Sequence, residues 1–207
     1  YSKQFTIPIG IWLDKRRRMP LNKIKKAKMV YIGHLVPFRG VDLVIRALPL
    51  IAQRVPNVKL EIVGGGEQLE YLKHLWQKLR VQSYIKFYGF VASEKKAVKI
   101  ISNGVVALAP YNTANNSIVK NADPAKIKDY LALGLPVVMT NAPTNANAIE
   151  KAKCGIVIDY TPESLAEATV KLLSNKKLWR EYRENAIKYV QQFDWNNLFT
   201  KNISRLL

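Results

Sequence analysis

Acidic residues are scarce in this chain. Fifteen Asp and Glu stand against 33 Lys and Arg in 207 residues, a formal net charge of +18. A field of that sign draws phosphates, nucleic acid or anionic lipid. Cysteine is almost absent: Cys154 alone excludes an intrachain disulfide and fits a reducing compartment. With only two histidines, no zinc framework can be assembled. No apolar run approaches the roughly 18 residues that span a bilayer, and no apolar stretch near the start reads as a secretion signal. The expected location is cytoplasmic, at most peripheral to a membrane. Three nucleotide and metal motifs are also missing. The first strand is not followed by G-x-G-x-x-G, so NAD is not expected. Neither GxxxxGK[ST] nor Asp-x-Asp occurs, so no metal and no cofactor is called for.

What is present is a regular alternation. Hydrophobic residues make up 48% of the chain, ordinary for a globular protein and an argument against disorder. Residues 1–27 read as a basic linker, and the first 30 residues hold nine Lys and Arg against Asp14 alone. From residue 28 to 207 apolar strands alternate with amphipathic helices. Strands are predicted at 29–33, 59–63, 85–88, 105–109, 136–140 and 155–158. Helices are predicted at 41–55, 67–79, 93–102, in the segment from Pro124 to Gly134, and near 144–152. Three further helices close the chain at 162–174, 178–191 and 195–207. This alternation predicts an α/β fold, a doubly wound parallel sheet of about six strands with additional C-terminal helices.

The stretch NADPAKIKDYLALGLPVVMT, residues 121–140, is the most informative. Asp123 is placed to cap the helix, with Pro124 at its first position. Ile127, Tyr130 and Leu131 form one apolar face, and Gly134 and Pro136 end the helix. Asp129 lies off that face, either solvated or aimed into a cleft.

In a doubly wound sheet, ligands bind beyond the carboxyl ends of the strands, where the strand order reverses. That places two loops opposite each other: residues 33–40, GHLVPFRG, and residues 110–123, PYNTANNSIVKNAD. The second far exceeds the roughly 4–6 residues of an ordinary connection. His34 and Arg39 lie on the first, Lys120 and Lys126 on or near the second, and each following helix offers free N–H groups. A diphosphate suits such a crevice. Gly64, with its neighbours Gly65 and Gly66, lets backbone approach a ligand closely, and Gly33, which opens the first loop, is a further candidate binding residue. For each of these side chains the plainer alternative is a hydrogen-bonded or solvated loop residue.

These same segments resemble the retaining glycosyltransferases of family 4 (group 1), specifically the C-terminal, donor-binding domain of the GT-B type. DYLALGLPVV resembles the second half of their paired-glutamate signature, with Asp129 at the second glutamate and Asn121 at the first. YIGHLVPFRGVDLVIRAL resembles their first-strand segment, with His34 and Arg39 at its two basic positions. LEIVGGGEQLEYL and IKFYGFVASEK resemble the next two, and FDW at 193–195 the point where the last helix turns back toward the first domain. The resemblance implies a metal-independent transfer of sugar from a UDP- or GDP-sugar. Arg39, with His34, would hold the diphosphate, and Arg39 and Asn121 are the expected catalytic residues. Asp129 would bind the ribose hydroxyls, and Gly89, Phe90 and Val91 would meet the base. Ala122, Asp123 and Lys126 would complete the anion site. A preceding N-terminal acceptor domain is expected to lie outside this chain. The acceptors of the family suggest peripheral contact with an anionic membrane.

Two other readings remain open on the sequence alone. The charge would suit a nucleic-acid or anionic-surface binding module, although most aromatics fall on strands or apolar helix faces. Asn121 and His34 would suit a degenerate, non-catalytic relative.

Overall fold

The computed structural model describes residues 7–24, 27–112, 119–120 and 122–203. Six strands form one parallel sheet: β1 (Lys28–Ile32), β2 (Lys59–Val63), β3 (Ile85–Phe87), β4 (Val106–Ala109), β5 (Val137–Thr140) and β6 (Gly155–Ile158). Their spatial order is β3-β2-β1-β4-β5-β6. The helices are α1 (Val41–Arg54), α2 (Leu69–Lys78), α3 (Glu94–Ile101), α4 (Ala125–Ala132), α5 (Ala146–Lys151), α6 (Pro162–Ser174), α7 (Lys176–Tyr189) and α8 (Trp195–Ile203). The predicted doubly wound sheet is therefore the observed one, with element ends within two residues of those expected; the expected end of the last helix at 207 lies outside the described residues.

The strands are apolar on both faces because both are covered. Alternate residues of β1 go to opposite sides: Met29 and Tyr31 join the core under α1, α2 and α6, while Val30 joins the core under α3, α4 and α5. The reversal in order falls between β1 and β4, paired through Met29–Val106 and Val30–Ala107. The crevice beyond their carboxyl ends is thus fixed by topology.

The linker is less detached than its composition suggests. Ile11 is buried in the second core and bridges to Asp194, with its N–H donating to Phe193 O at 2.8 Å. Arg18 Nε donates to Ala132 O at 2.9 Å, at the end of α4, and Arg183 Nη2 donates to Met19 O at 2.8 Å. Arg18 at Ala132 O, with Arg183 Nη1 donating to Gly134 O at 3.0 Å, offsets the negative end of α4.

The start of α4 differs from expectation. Its N-cap is Pro124, in extended conformation, with no side-chain cap. Asp123 does not cap because its carboxylate pairs with buried Lys128 and accepts from Asn145 Nδ2 at 3.3 Å. An ion pair with an ammonium outweighs one hydrogen bond to a helix N–H.

Candidate functional site

The two loops nominated from the sequence meet. Asn112 N–H donates to Phe38 O at 3.0 Å. Gly40, with φ +66°, packs so tightly that an added Cβ would lie 1.7 Å from Pro110 O. Only glycine allows both the left-handed conformation and this approach.

Two cations converge where the loops join. Arg39 ends the short 3-10 turn Pro37–Arg39. Its Nη1 donates to Tyr111 Oη at 3.2 Å, and its guanidinium lies 5.2 Å from both the Phe38 and Tyr111 rings. Lys126, in the first turn of α4, reaches back so that Nζ sits 4.3 Å from the Tyr31 ring centre and 4.8 Å from that of Tyr111. Its stem is partly exposed, but Nζ is buried and has no hydrogen-bond partner; Arg39 Nε is likewise buried and unpartnered. Burial, with the charge of Arg39 added, holds the Lys126 ammonium well below the ordinary lysine range. Burial pushes the phenols of Tyr31 and Tyr111 up, so both stay neutral. Thr140 Oγ1 donates to Tyr111 O at 2.7 Å and holds the Tyr111 backbone from the end of β5. Among the described residues no carboxylate pairs with Arg39 or Lys126. Buried donors without acceptors are costly, so this arrangement suits an anion that supplies them.

The glycines form the floor. Gly33 N–H donates to Val63 O at 3.0 Å and Gly64 N–H to Gly89 O at 2.8 Å, which carries the ladder one step past β1, β2 and β3. An added Cβ on Gly64 would lie 1.9 Å from Gly33 O. Phe90 projects into solvent beside Gly65, 78% exposed, while Val91 packs partly into the core.

Other nominated residues are placed differently. The His34 side chain is exposed, and its carbonyl accepts from Tyr31 Oη at 3.1 Å. Lys120 is exposed. Ala122 is tied to the loop after β5, its carbonyl accepting from Thr144 N at 3.3 Å. Asp123 is engaged by Lys128 and Asn145 as described above. Asn121 lies outside the described residues. Asp129 is neither fully solvated nor free: Arg16 Nε donates to its Oδ1 at 2.7 Å. Sequence reasoning missed Arg16 and the tyrosine pair. Tyr31 had the periodicity of a core strand residue, and nothing local tied Arg16 to a partner 113 residues away.

Buried Cys154, its thiol pushed up to about 12, is no nucleophile. Among the described residues no cluster of three His, Cys, Asp or Glu could hold a metal. Two cavities open elsewhere among the described residues. One of about 600 Å³ lies at the amino end of the sheet beside Ala27, Val105 and Trp179. The other, of about 570 Å³, lies between the linker and α3.

The family described as Glycosyl transferases group 1 matches residues 14–192. The chain belongs to this family. A GDP-mannose-dependent alpha-(1-6)-phosphatidylinositol monomannoside mannosyltransferase of Mycobacterium tuberculosis is 28% identical over 180 residues, covering 82% of this chain and 46% of that protein. The chain thus spans about half the length of the curated relatives it matches. Two solved structures show the fold of this group 1 chain. The C-terminal domain of LpcC, a group 1 glycosyl transferase from Francisella tularensis, superposes with a TM-score of 0.74 at 17% identity, over 88% of this chain and 97% of that one. Anabaena HepE, solved with UDP and glucose, superposes with a TM-score of 0.77 at 19% identity, over 97% of this chain and 55% of that one.

Proposed function

We propose that this chain is the donor-binding half of a retaining, metal-independent glycosyltransferase, and that it binds a nucleotide-diphosphate sugar in the crevice between residues 33–40 and 110–126. One observation carries the reading: Arg39 and Lys126 converge on Tyr111 with buried nitrogens that lack acceptors. A diphosphate supplies those acceptors. When the bond between the anomeric carbon and the β-phosphate oxygen breaks, the electron pair stays on the diphosphate. The two cations and the free N–H groups of α4 then stabilise the growing charge. The base is assigned to the rim at 89–91, where Phe90 offers an exposed ring, and the ribose to Asp129. The curated relative and HepE lend support, one by its GDP-mannose dependence and the other by its bound UDP.

Arg39→Ala tests this directly. Binding of UDP or GDP should weaken tenfold or more, the worth of a charge-assisted hydrogen bond, while binding of uridine or guanosine should hardly change. Equal losses for both classes would end the phosphate assignment. Transfer also requires the acceptor to be held in reactive geometry with water excluded. The acceptor side is assigned to a further domain corresponding to the rest of the relatives' length.

Membrane contact is the second reading, favoured by one surface. Lys15, Arg17, Lys95 and Lys99 line the cavity beside α3. Lys15 Nζ lies 5.5 Å from the ring of exposed Trp12, which in turn is 6.4 Å from exposed Phe199. Cations beside exposed aromatics suit an anionic lipid surface, at about 1 kcal/mol per basic residue. Co-sedimentation with phosphatidylserine vesicles at low salt should exceed that with neutral vesicles, and Lys95→Glu with Lys99→Glu should reduce it. No preference for anionic lipid would remove membrane contact from the account. Tyr31, Tyr111 and Tyr130 are buried and unavailable for stacking on the bases of a nucleic acid.

A further inference from the structure

Arg16 stands in a run of four basic residues, 15–18, yet its surroundings set it apart. Its neighbours in the run are exposed, whereas the Arg16 side chain is only 9% exposed. Two carboxylates hold it. Nε donates to Asp129 Oδ1 and Nη2 to Glu94 Oε1, both at 2.7 Å. Asp129 lies on α4, one turn past Lys126. Glu94 opens α3, immediately after the 89–91 loop. One guanidinium therefore joins the two helices that flank the nucleoside side of the crevice.

The pairing also sets what Asp129 can offer a ligand. Burial pushes the Asp129 carboxyl up and nearby Glu94 adds to this, while Arg16 opposes both. A protonated carboxyl would present a donor where a diol needs an acceptor. Among the described residues Oδ1 accepts from Arg16, while Oδ2 has no hydrogen-bond partner. A single aspartate can thus serve the guanidinium with one oxygen and a ligand hydroxyl with the other.

We propose that Arg16 is a positioning residue for the nucleotide: it fixes Asp129 with Oδ1 on the guanidinium and Oδ2 open to accept from a ribose hydroxyl, and it anchors that arrangement to the base-side helix through Glu94. The proposal rests on the donor-binding reading given above. Asp is one methylene shorter than the glutamate of the resembling signature, so its direction counts for more than that of a longer, freely turning side chain. A residue of the linker thereby takes part in donor selection.

The experiment compares UDP and GDP with their 2′,3′-dideoxy forms by calorimetry on this chain, with Arg16→Leu, Arg16→Lys and Asp129→Asn. Wild type should favour the ribose form. Asp129→Asn should lose that preference. Arg16→Leu should weaken the ribose form about tenfold and leave the dideoxy form unchanged, which also reports an intact fold. Arg16→Lys should recover part of the preference, because it restores the charge without the two-pronged geometry. The double variant Arg16→Leu with Asp129→Asn should be no weaker than Asp129→Asn alone. If Arg16→Leu does not fold, Arg16→Lys carries the same reading through a partial loss of preference. Should Asp129→Asn lose the preference while both Arg16 variants keep it, Arg16 is merely structural and the proposal fails alone. Equal weakening of both ligand forms by Arg16→Leu also overturns it. If wild type binds ribose and dideoxy forms alike, or Asp129→Asn keeps the preference, the ribose role of Asp129 falls and takes the proposal with it. If neither nucleotide binds at all, the donor-binding reading itself falls.

Discussion

Lys126→Met is expected to raise the stability of the unliganded protein and to weaken nucleotide-diphosphate binding at the same time. The opposite signs follow from one geometry. Nζ is buried between two tyrosine rings, beside Arg39, with no acceptor. A methionine of similar length keeps the apolar stem, retains favourable contact with the rings, and removes a desolvated donor. A buried group of this kind costs roughly 1–3 kcal/mol, and the gain should be of that order. The loss in diphosphate binding should be tenfold or more, since a charge-assisted contact disappears. Residues whose removal stabilises a fold are commonly kept for function.

The same residue sets a pH dependence. The folded-state value of Lys126 is lowered from the ordinary 10.5. Between the lowered value and 10.5 the unfolded chain holds a proton that the folded chain does not. Stability rises with pH wherever the unfolded state binds more protons. Wild type should therefore gain stability as pH rises through that window, and Lys126→Met should lack that gain. Denaturant titrations at several pH values read both effects. A destabilised Lys126→Met, or identical pH slopes, would show that Nζ is satisfied in the empty protein.

Gly40→Ala should cost far more than Gly89→Ala, although both glycines have nearly the same backbone conformation, with φ +66° and +68°. Each substitution forces a side chain into the left-handed region, at roughly 1–2 kcal/mol. They differ in surroundings. At Gly89 an added Cβ meets nothing within 4 Å, whereas at Gly40 it lies 1.7 Å from Pro110 O and 3.0 Å from Tyr160 Cε2. The backbone of one loop must then leave the other, adding a strain of about 1–3 kcal/mol. Because this contact holds Arg39 beside Tyr111, Gly40→Ala should also weaken nucleotide binding. Chemical denaturation of the two variants isolates the loop contact. Equal costs would mean that the loops are not pressed together.

The outline of the crevice was legible because it depends on order and pattern. Alternating apolar strands and amphipathic helices imply the doubly wound sheet, and its switch point nominates two loops whatever they contain. Arg39 and Lys126 could be named because they sit at the loop ends, next to helix starts. What escaped were pairings between distant segments. Tyr31 read as a core strand residue and Tyr111 as one residue of a long loop; both are buried, and their rings also face the Lys126 ammonium. Arg16 was one cation among nine in the first 30 residues, and only packing selects it. Asp123 misled for a local reason. A cap residue before a proline is a sound pattern, yet Lys128, five residues on, competes for the same carboxylate. In a chain with 33 basic and 15 acidic residues, a buried carboxylate readily finds a cation. That imbalance is itself the signal that could have led from Asp129 to Arg16.

A crystal structure of this chain with UDP or GDP tests the central claim most directly. The account predicts β-phosphate oxygens about 2.7–3.2 Å from the Arg39 guanidinium and from Lys126 Nζ, between residues 33–40 and 110–126. A diphosphate held instead by Lys15, Arg17 and Lys99 beside α3, with Arg39 and Lys126 untouched, would contradict it.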